Sequence, residues 1–198
     1  MPLKISDKII GHVQIVNPKE QVFQASSYLM MTLSRFIAIM IRNRDATREL
    51  ERMSLHDQMT GLLNRRGLSN YFMDLPKGIS CAFFFGDVNG LKRMNDEHGH
   101  EAGDALIKTV ADIMLQAQQQ AGRGHVFRMG GDEFLMIVEQ LDETHAEDVQ
   151  RSLREAFHTH HVSVALGTIV SMTPIPDMDA IITKVDREMY KDKGKKKR

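Results

Sequence analysis

The sequence predicts an α+β domain, an antiparallel sheet with helices on one or both faces, preceded by a helical segment. Three observations predict it. Residues 81–87 (CAFFFGD) form a continuous apolar run, the pattern of a central strand buried on both faces. Residues 126–129 and 134–138 are two short apolar strands separated by Gly130-Gly131-Asp132-Glu133, the spacing of a β-hairpin. Helical faces alternate with them: Ala102, Leu106, Val110 and Ile113, then Ala146, Val149, Leu153 and Ala156, and last Ile181, Ile182, Val185 and Met189. Residues 162–170 supply one more strand, which makes the order β, α, β, β, α, β, α.

The elements ahead of this domain differ in character. Residues 8–16 read as a strand with partial alternation, ending at the turn signal Asn17-Pro18. Leu29, Leu33, Phe36, Met40, Asn43, Thr47 and Leu50 then step alternately by four and three, which is heptad spacing with two polar seam positions. That pattern fits a parallel helix pair; an amphipathic helix packed on its own domain fits the apolar half equally well. Residues 44–53 have no wide apolar face and read as a linker helix. Ser54-Leu55-His56-Asp57 reads as a capping box opening the domain at residue 54, with turns at Thr60-Gly61 and Arg66-Gly67.

Composition narrows the function. The chain has 198 residues, 26 basic and 26 acidic side chains, and a formal charge of zero, which removes the broad electrostatic case for a nucleic-acid polymer as partner. At this length roughly 70% of the unfolded surface is buried on folding, so a core forms without disulfides or a structural metal. The single Cys81 has no intrachain partner and fits a reducing compartment, the cytoplasm. Nothing after Met1 has the apolar core of a signal peptide. The apolar stretch 28–41 is too short and too interrupted to span a bilayer. The histidines at 158, 160 and 161 read as a polar loop, since no carboxylate is placed to complete a metal site with them.

The chemistry-bearing residues sit at two strand ends. Asp87 closes the buried strand and is followed by Val88-Asn89-Gly90-Leu91-Lys92. It offers a hard oxygen ligand for Mg²⁺ at about 2.1 Å, while the N–H groups of the turn form an anion nest to which Lys92 adds charge. The hairpin tip adds Asp132 and Glu133 on glycines that allow close approach of a ligand, so three acids are expected to converge. Taken singly, each feature also has a plain structural reading, as turn chemistry or as a helix cap.

Residues 128–134 (RMGGDEF) resemble the signature of the GGDEF domain, the diguanylate cyclase family. Other blocks are similar to the family in the right order over 54–198: DQMTGLLNRR at 57–66, DVNGLKRMND at 87–96 with Gly99-His100 and Gly103-Asp104, and a closing helix with Asp186, Met189, Tyr190 and Lys193. The resemblance implies a nucleotidyl-cyclase palm fold that joins two GTP into cyclic di-GMP with release of two pyrophosphates, with Mg²⁺ (or Mn²⁺) stabilising the nucleophilic and leaving oxygens. It implies Asp87, Glu133 and the Val88 carbonyl as metal ligands, and Asp132 as a further ligand or the base that takes the 3′-proton. Asn95 and Asp104 match the guanine readers; their amide and carboxylate suit guanine's edges and mispair with adenine. His100 either contacts substrate or fixes its loop. Lys193 matches the triphosphate lysine, and Lys197 falls where an arginine often follows, which keeps charge and loses bidentate binding.

Departures from the pattern are informative. The arginine and aspartate of the family's inhibitory product site would fall at Ala121 and Gly124, so that site is expected to be absent, with Arg123 out of register. Asn89 replaces a frequent aspartate, and Ala165-Leu166-Gly167 the usual Ser-Ile-Gly. Residues 1–43 resemble the last strand and final helix of a GAF sensor domain, 44–53 is the linker, and the whole reads as a fragment of a longer sensor-cyclase. The expected function is a cytoplasmic diguanylate cyclase acting as a homodimer through the N-terminal helix, each copy bringing one GTP. The alternative is a catalytically silent module that binds GTP or cyclic di-GMP and signals by contact.

Overall fold

The computed structural model describes residues 2–5, 8–12, 20–175 and 177–195. The chain divides into two compact units, Met1–Met53 and Ser54–Arg198.

In the first unit β1 (Pro2–Ile5) pairs antiparallel with β2 (Lys8–His12). Of the expected strand 8–16, Lys8–His12 is strand; residues 13–16 and the Asn17-Pro18 turn lie outside the described residues. Helix α1 runs unbroken through Glu20–Leu55. Among its described residues the buried positions are the small Ser34 and Ala38, whereas the heptad seam is exposed, 59% at Leu29, 44% at Leu33, 59% at Phe36 and 57% at Met40. The capping-box reading of Ser54 is corrected. Ser54 and Leu55 end α1 rather than start a helix, and Asp57 instead closes a turn, accepting from Thr60 N (2.9 Å) and Thr60 Oγ1 (2.7 Å).

The second unit adds β3 (Leu63–Asn64), α2 (Arg65–Asp74), β4 (Ser80–Val88), α3 (Leu91–His98), α4 (His100–Ala121), β5 (Gly124–Gly130), β6 (Glu133–Glu139), α5 (Glu143–Thr159), β7 (Val164–Met172) and α6 (Met178–Lys195). Five strands form one sheet in the order β3-β5-β6-β4-β7, antiparallel except for the short β3·β5 pair. Period-two alternation explains its two cores. From β4, Ala82 and Phe84 join Phe134, Met136 and Val138 of β6 under α4 and α5. Cys81, Phe83 and Phe85 join Leu135 and Ile137 on the other face, under α2 and α6. The buried stripe of α4 centres on Ile107, Val110, Ala111 and Met114; Ala102 and Leu106 flank it.

No helix among the described residues is long and apolar enough to cross a membrane.

Candidate active site

Asp87 and Glu133 are direct cross-strand partners in the antiparallel β4·β6 ladder. By alternation both continue the Phe83-Phe85 and Leu135-Ile137 face, the one covered by α6, so their side chains rise together. The ladder continues past them, since Val88 N donates to Asp132 O at 3.0 Å. From α6, Lys193 Nζ donates to Asp87 Oδ1 at 2.7 Å, a pair whose side chains are 36% and 13% exposed. An ammonium therefore rests where a cation would neutralise Asp87.

The electrostatics of the cluster fall most heavily on Glu133. Glu133 is exposed by surface area, yet the desolvation it does have, then the charges of Asp132, Asp87 and Asp186, push its carboxyl above the usual range, and Lys193 only partly offsets them. An acid raised by folding leaves the folded state repulsive at neutral pH, and that repulsion is relieved as pH falls through the raised value toward the ordinary one. A bound divalent cation needs the ionised form, so its stabilisation runs the opposite way. For a divalent cation held by Glu133, the thermal shift, read with Mn²⁺ in a fluorescence melt, is expected to be positive at pH 7.5 and to fade on acidification before ordinary carboxylates protonate. Glu133→Gln is expected to remove most of the shift at every pH.

The expected convergence of three acids is narrower here. Among the described residues no set of three His, Cys, Asp or Glu side chains is placed to hold one ion. Asp87 and Glu133 share a face, whereas Asp132 lies in the tight turn between β5 and β6, where the ladder shifts register between Arg128 and Gly130. Gly131, at φ 50°, takes the left-handed conformation this turn requires.

Arg128 fixes that turn. Its Nε and Nη2 donate to Gly131 O at 3.2 and 2.8 Å, and its Nη1 donates to both oxygens of Asp57 at 3.0 and 3.1 Å. Burial alone would raise the Asp57 carboxyl, but hydrogen bonds from Thr60 and Arg128 outweigh it and hold the acid low. The opening block thus serves the hairpin, 71 positions away.

The β4–α3 connection supplies the other wall. Asn89 N and Nδ2 donate to Ser163 O (2.8 Å) and Ser163 Oγ (3.1 Å), tying the loop to the start of β7. Gly90, at φ 78°, turns the chain into α3, and Lys92 stands exposed in that helix's first turn. Asn95 projects from α3 against Gly103 of α4, and its Oδ1 is buried with no hydrogen-bond partner. Asp104 follows Gly103 and is exposed, as is His100 at the start of α4. A buried amide oxygen left unpaired is costly, and it suits a donor-bearing ligand edge.

A Cβ on Gly103 would overlap Asn95 Oδ1 and Cγ. Gly103→Ala is therefore expected to rotate Asn95 away and to weaken a ligand that donates to its Oδ1 by about tenfold or more, the worth of one or two buried hydrogen bonds. Calorimetry with GMP would read this, with the melting temperature nearly unchanged.

Lys197 lies outside the described residues. A cleft of about 540 Å³ is lined by Arg154, Phe157, His158, His161, Val162, Ser163 and Val164; it contains neither Asp87 nor Glu133.

These features have known counterparts. Residues 54–198 match the family model "Diguanylate cyclase, GGDEF domain". The chain belongs to this family. It is 29% identical over 198 residues to diguanylate cyclase DgcP of Escherichia coli, covering 90% of this chain and 56% of DgcP. It is 26% identical over 158 residues to diguanylate cyclase DgcS of Shewanella oneidensis, covering 74% and 52% of the two chains. The GGDEF chain therefore spans about half the length of these relatives. Among solved structures, a microbial GGDEF domain studied with cyclic di-GMP superposes with a TM-score of 0.63 at 29% identity, over 74% of this chain and 94% of that one. The coiled coil and GGDEF domain of DgcB from Caulobacter crescentus superposes at 0.71, over 83% and 94%; at 20% identity it shows the shared fold.

Proposed function

We propose that the chain is a Mg²⁺-dependent diguanylate cyclase that condenses two GTP into cyclic di-GMP and two pyrophosphates where two GGDEF domains meet. The observation that carries this reading is the Asp87 and Glu133 cross-strand pair with Lys193 seated on Asp87. Two hard carboxylates side by side, one already drawing a cation, suit Mg²⁺ or Mn²⁺. Asp87, Glu133 and the Val88 carbonyl would hold the metal, which when bound supplies Lewis-acid stabilisation of charge on the phosphoryl oxygens.

The remaining work belongs to the chain. Asn95 and Asp104 read guanine, with His100 at the rim of that pocket. The turn after β4 and Lys92 receive phosphate oxygens, and Lys193 moves from Asp87 to the triphosphate, with Lys197 as a second charge. Each 3′-hydroxyl attacks the α-phosphorus of the other nucleotide; a P–O bond forms, the bond to pyrophosphate breaks, and the 3′-proton leaves to Asp132 or solvent. Holding each nucleotide in line is most of the catalysis.

One domain brings one GTP, so two copies are needed. The exposed seam of Leu29, Leu33, Phe36 and Met40 on α1 is the surface through which a second copy would pair, with residues 44–53 as linker and residues 1–43 the end of a GAF-like sensor. No product-inhibition site of the Arg-x-x-Asp type is expected. Ala121 and Gly124 hold its positions, and the Nε of Arg123 lies 3.3 Å from Glu139, a buried acid that also accepts from Tyr71 Oη at 2.7 Å. The reading implies a cytoplasmic enzyme.

Purified chain given GTP and Mg²⁺ tests this reading. Cyclic di-GMP is expected to form with a specific activity that rises with protein concentration. Nucleotide binding without product would support the silent signalling module instead, and specific activity retained at concentrations where the chain is monomeric would contradict the two-copy mechanism.

A further inference from the structure

Lys193 reaches Asp87 from the last turns of α6, where Met189 is the last buried apolar residue of that helix and Tyr190 is 73% exposed. A helix end with so little packing frays unless a polar contact holds it. That contact is Asp192. It meets Arg154 of α5 in a two-pronged pair, Nη1 to Oδ2 and Nη2 to Oδ1, both at 3.0 Å. Helices α5 and α6 pack on opposite faces of the sheet, so the pair reaches around its β7 edge.

The edge itself is included. Leu166 stands opposite Gly86, one step from Asp87. Its N–H donates to Asp192 Oδ2 at 3.2 Å, and its carbonyl accepts from Arg154 Nη2 at 3.2 Å. Both groups of this residue point away from β4, as in a non-hydrogen-bonded antiparallel pair. Arg154 and Asp192 thus take the place of a sixth strand at that point, and they bind α5, β7 and α6 level with the acid that Lys193 touches.

We propose that Arg154 and Asp192 form a positioning clamp for the triphosphate site. It fixes the end of α6 against β7 and so sets where Lys193 stands, without touching nucleotide. The proposal rests on the reading of Lys193 as a triphosphate ligand. The two side chains, 38% and 17% exposed, are accessible enough to replace without opening the core.

Calorimetry with a non-hydrolysable GTP analogue and with GMP, each with Mg²⁺, tests it. Asp192→Ala and Arg154→Met are each expected to weaken the analogue by about tenfold, with no further loss when combined, while GMP binding stays unchanged. Arg154→Lys, which keeps charge and loses the fork, is expected to lie between them and wild type. In a Lys193→Met background, Asp192→Ala is expected to have no effect. Equal weakening of analogue and GMP, or full additivity with Lys193→Met, would overturn the clamp. If Lys193→Met alone leaves analogue affinity intact, the reading of Lys193 fails first and the clamp with it.

Discussion

Replacing Glu133 by glutamine is expected to lower cyclic di-GMP formation by about 10³-fold, a loss of the size seen when one preorganised charge-stabilising group is removed. Glutamine keeps the volume and the position opposite Asp87, because the β4·β6 register is set by backbone bonds. What it loses is charge. With Glu133 neutral, Asp87 is the one anionic side chain left in the cross-strand pair, and Lys193 already occupies it. The fold itself should not suffer. Glu133 is repelled by Asp132, Asp87 and Asp186, so the variant's melting temperature in the absence of divalent cation is expected to equal or exceed that of the parent. GMP affinity should also be retained, since Asn95 and Asp104 lie on other elements. Loss of activity together with loss of GMP binding would point instead to a general collapse of the site.

The second large effect concerns stability. A Cβ on Gly167 would overlap the backbone N of Met189 and the carbonyl oxygen of Val185. Neither atom sits at the end of a flexible side chain, so α6 must move as a body. Gly167→Ala is expected to destabilise the 54–198 unit by about 3 kcal/mol, the upper range for overpacking, measured as a lower urea midpoint at unchanged slope. Because α6 carries both Asp192 and Lys193, the surviving folded protein should also bind the GTP analogue more weakly. A midpoint within error of wild type would show that α6 slides on β7 more freely than its packing implies.

These two sites also show what was legible in the sequence. Residues 81–87 were readable as a central strand because both faces are buried, which writes a run of large apolar residues directly into the chain. The hairpin was readable from its glycines. The two-residue β3 was not, since Leu63 and Asn64 carry no period and are strand only through pairing with Phe127 and Arg128. The end of α1 is not legible at Ser54, because Asp57 has the residue type of a helix start yet its oxygen accepts from Thr60 and Arg128 instead.

The site divides in the same way. Asp87 and Glu133 could be placed together because each ends a strand and strands pair in register. Asp132, one residue from Glu133, still bonds β4 through its carbonyl, but alternation along the strand turns a neighbour's side chain to the opposite face. Arg128 with Asp57 and Arg154 with Asp192 lie 71 and 38 positions apart. Contacts at that range leave no local spacing to read. A charged residue inside an otherwise apolar strand, as Arg128 is, was the one available signal.

The most direct test of the central claim is anomalous diffraction from crystals of the chain grown with Mn²⁺ and a non-hydrolysable GTP analogue. The account predicts a manganese peak within coordination distance of the carboxylates of Asp87 and Glu133, with Lys193 moved from Asp87 to the triphosphate. A manganese peak held elsewhere, with Lys193 still on Asp87 and Glu133 facing solvent, would contradict it.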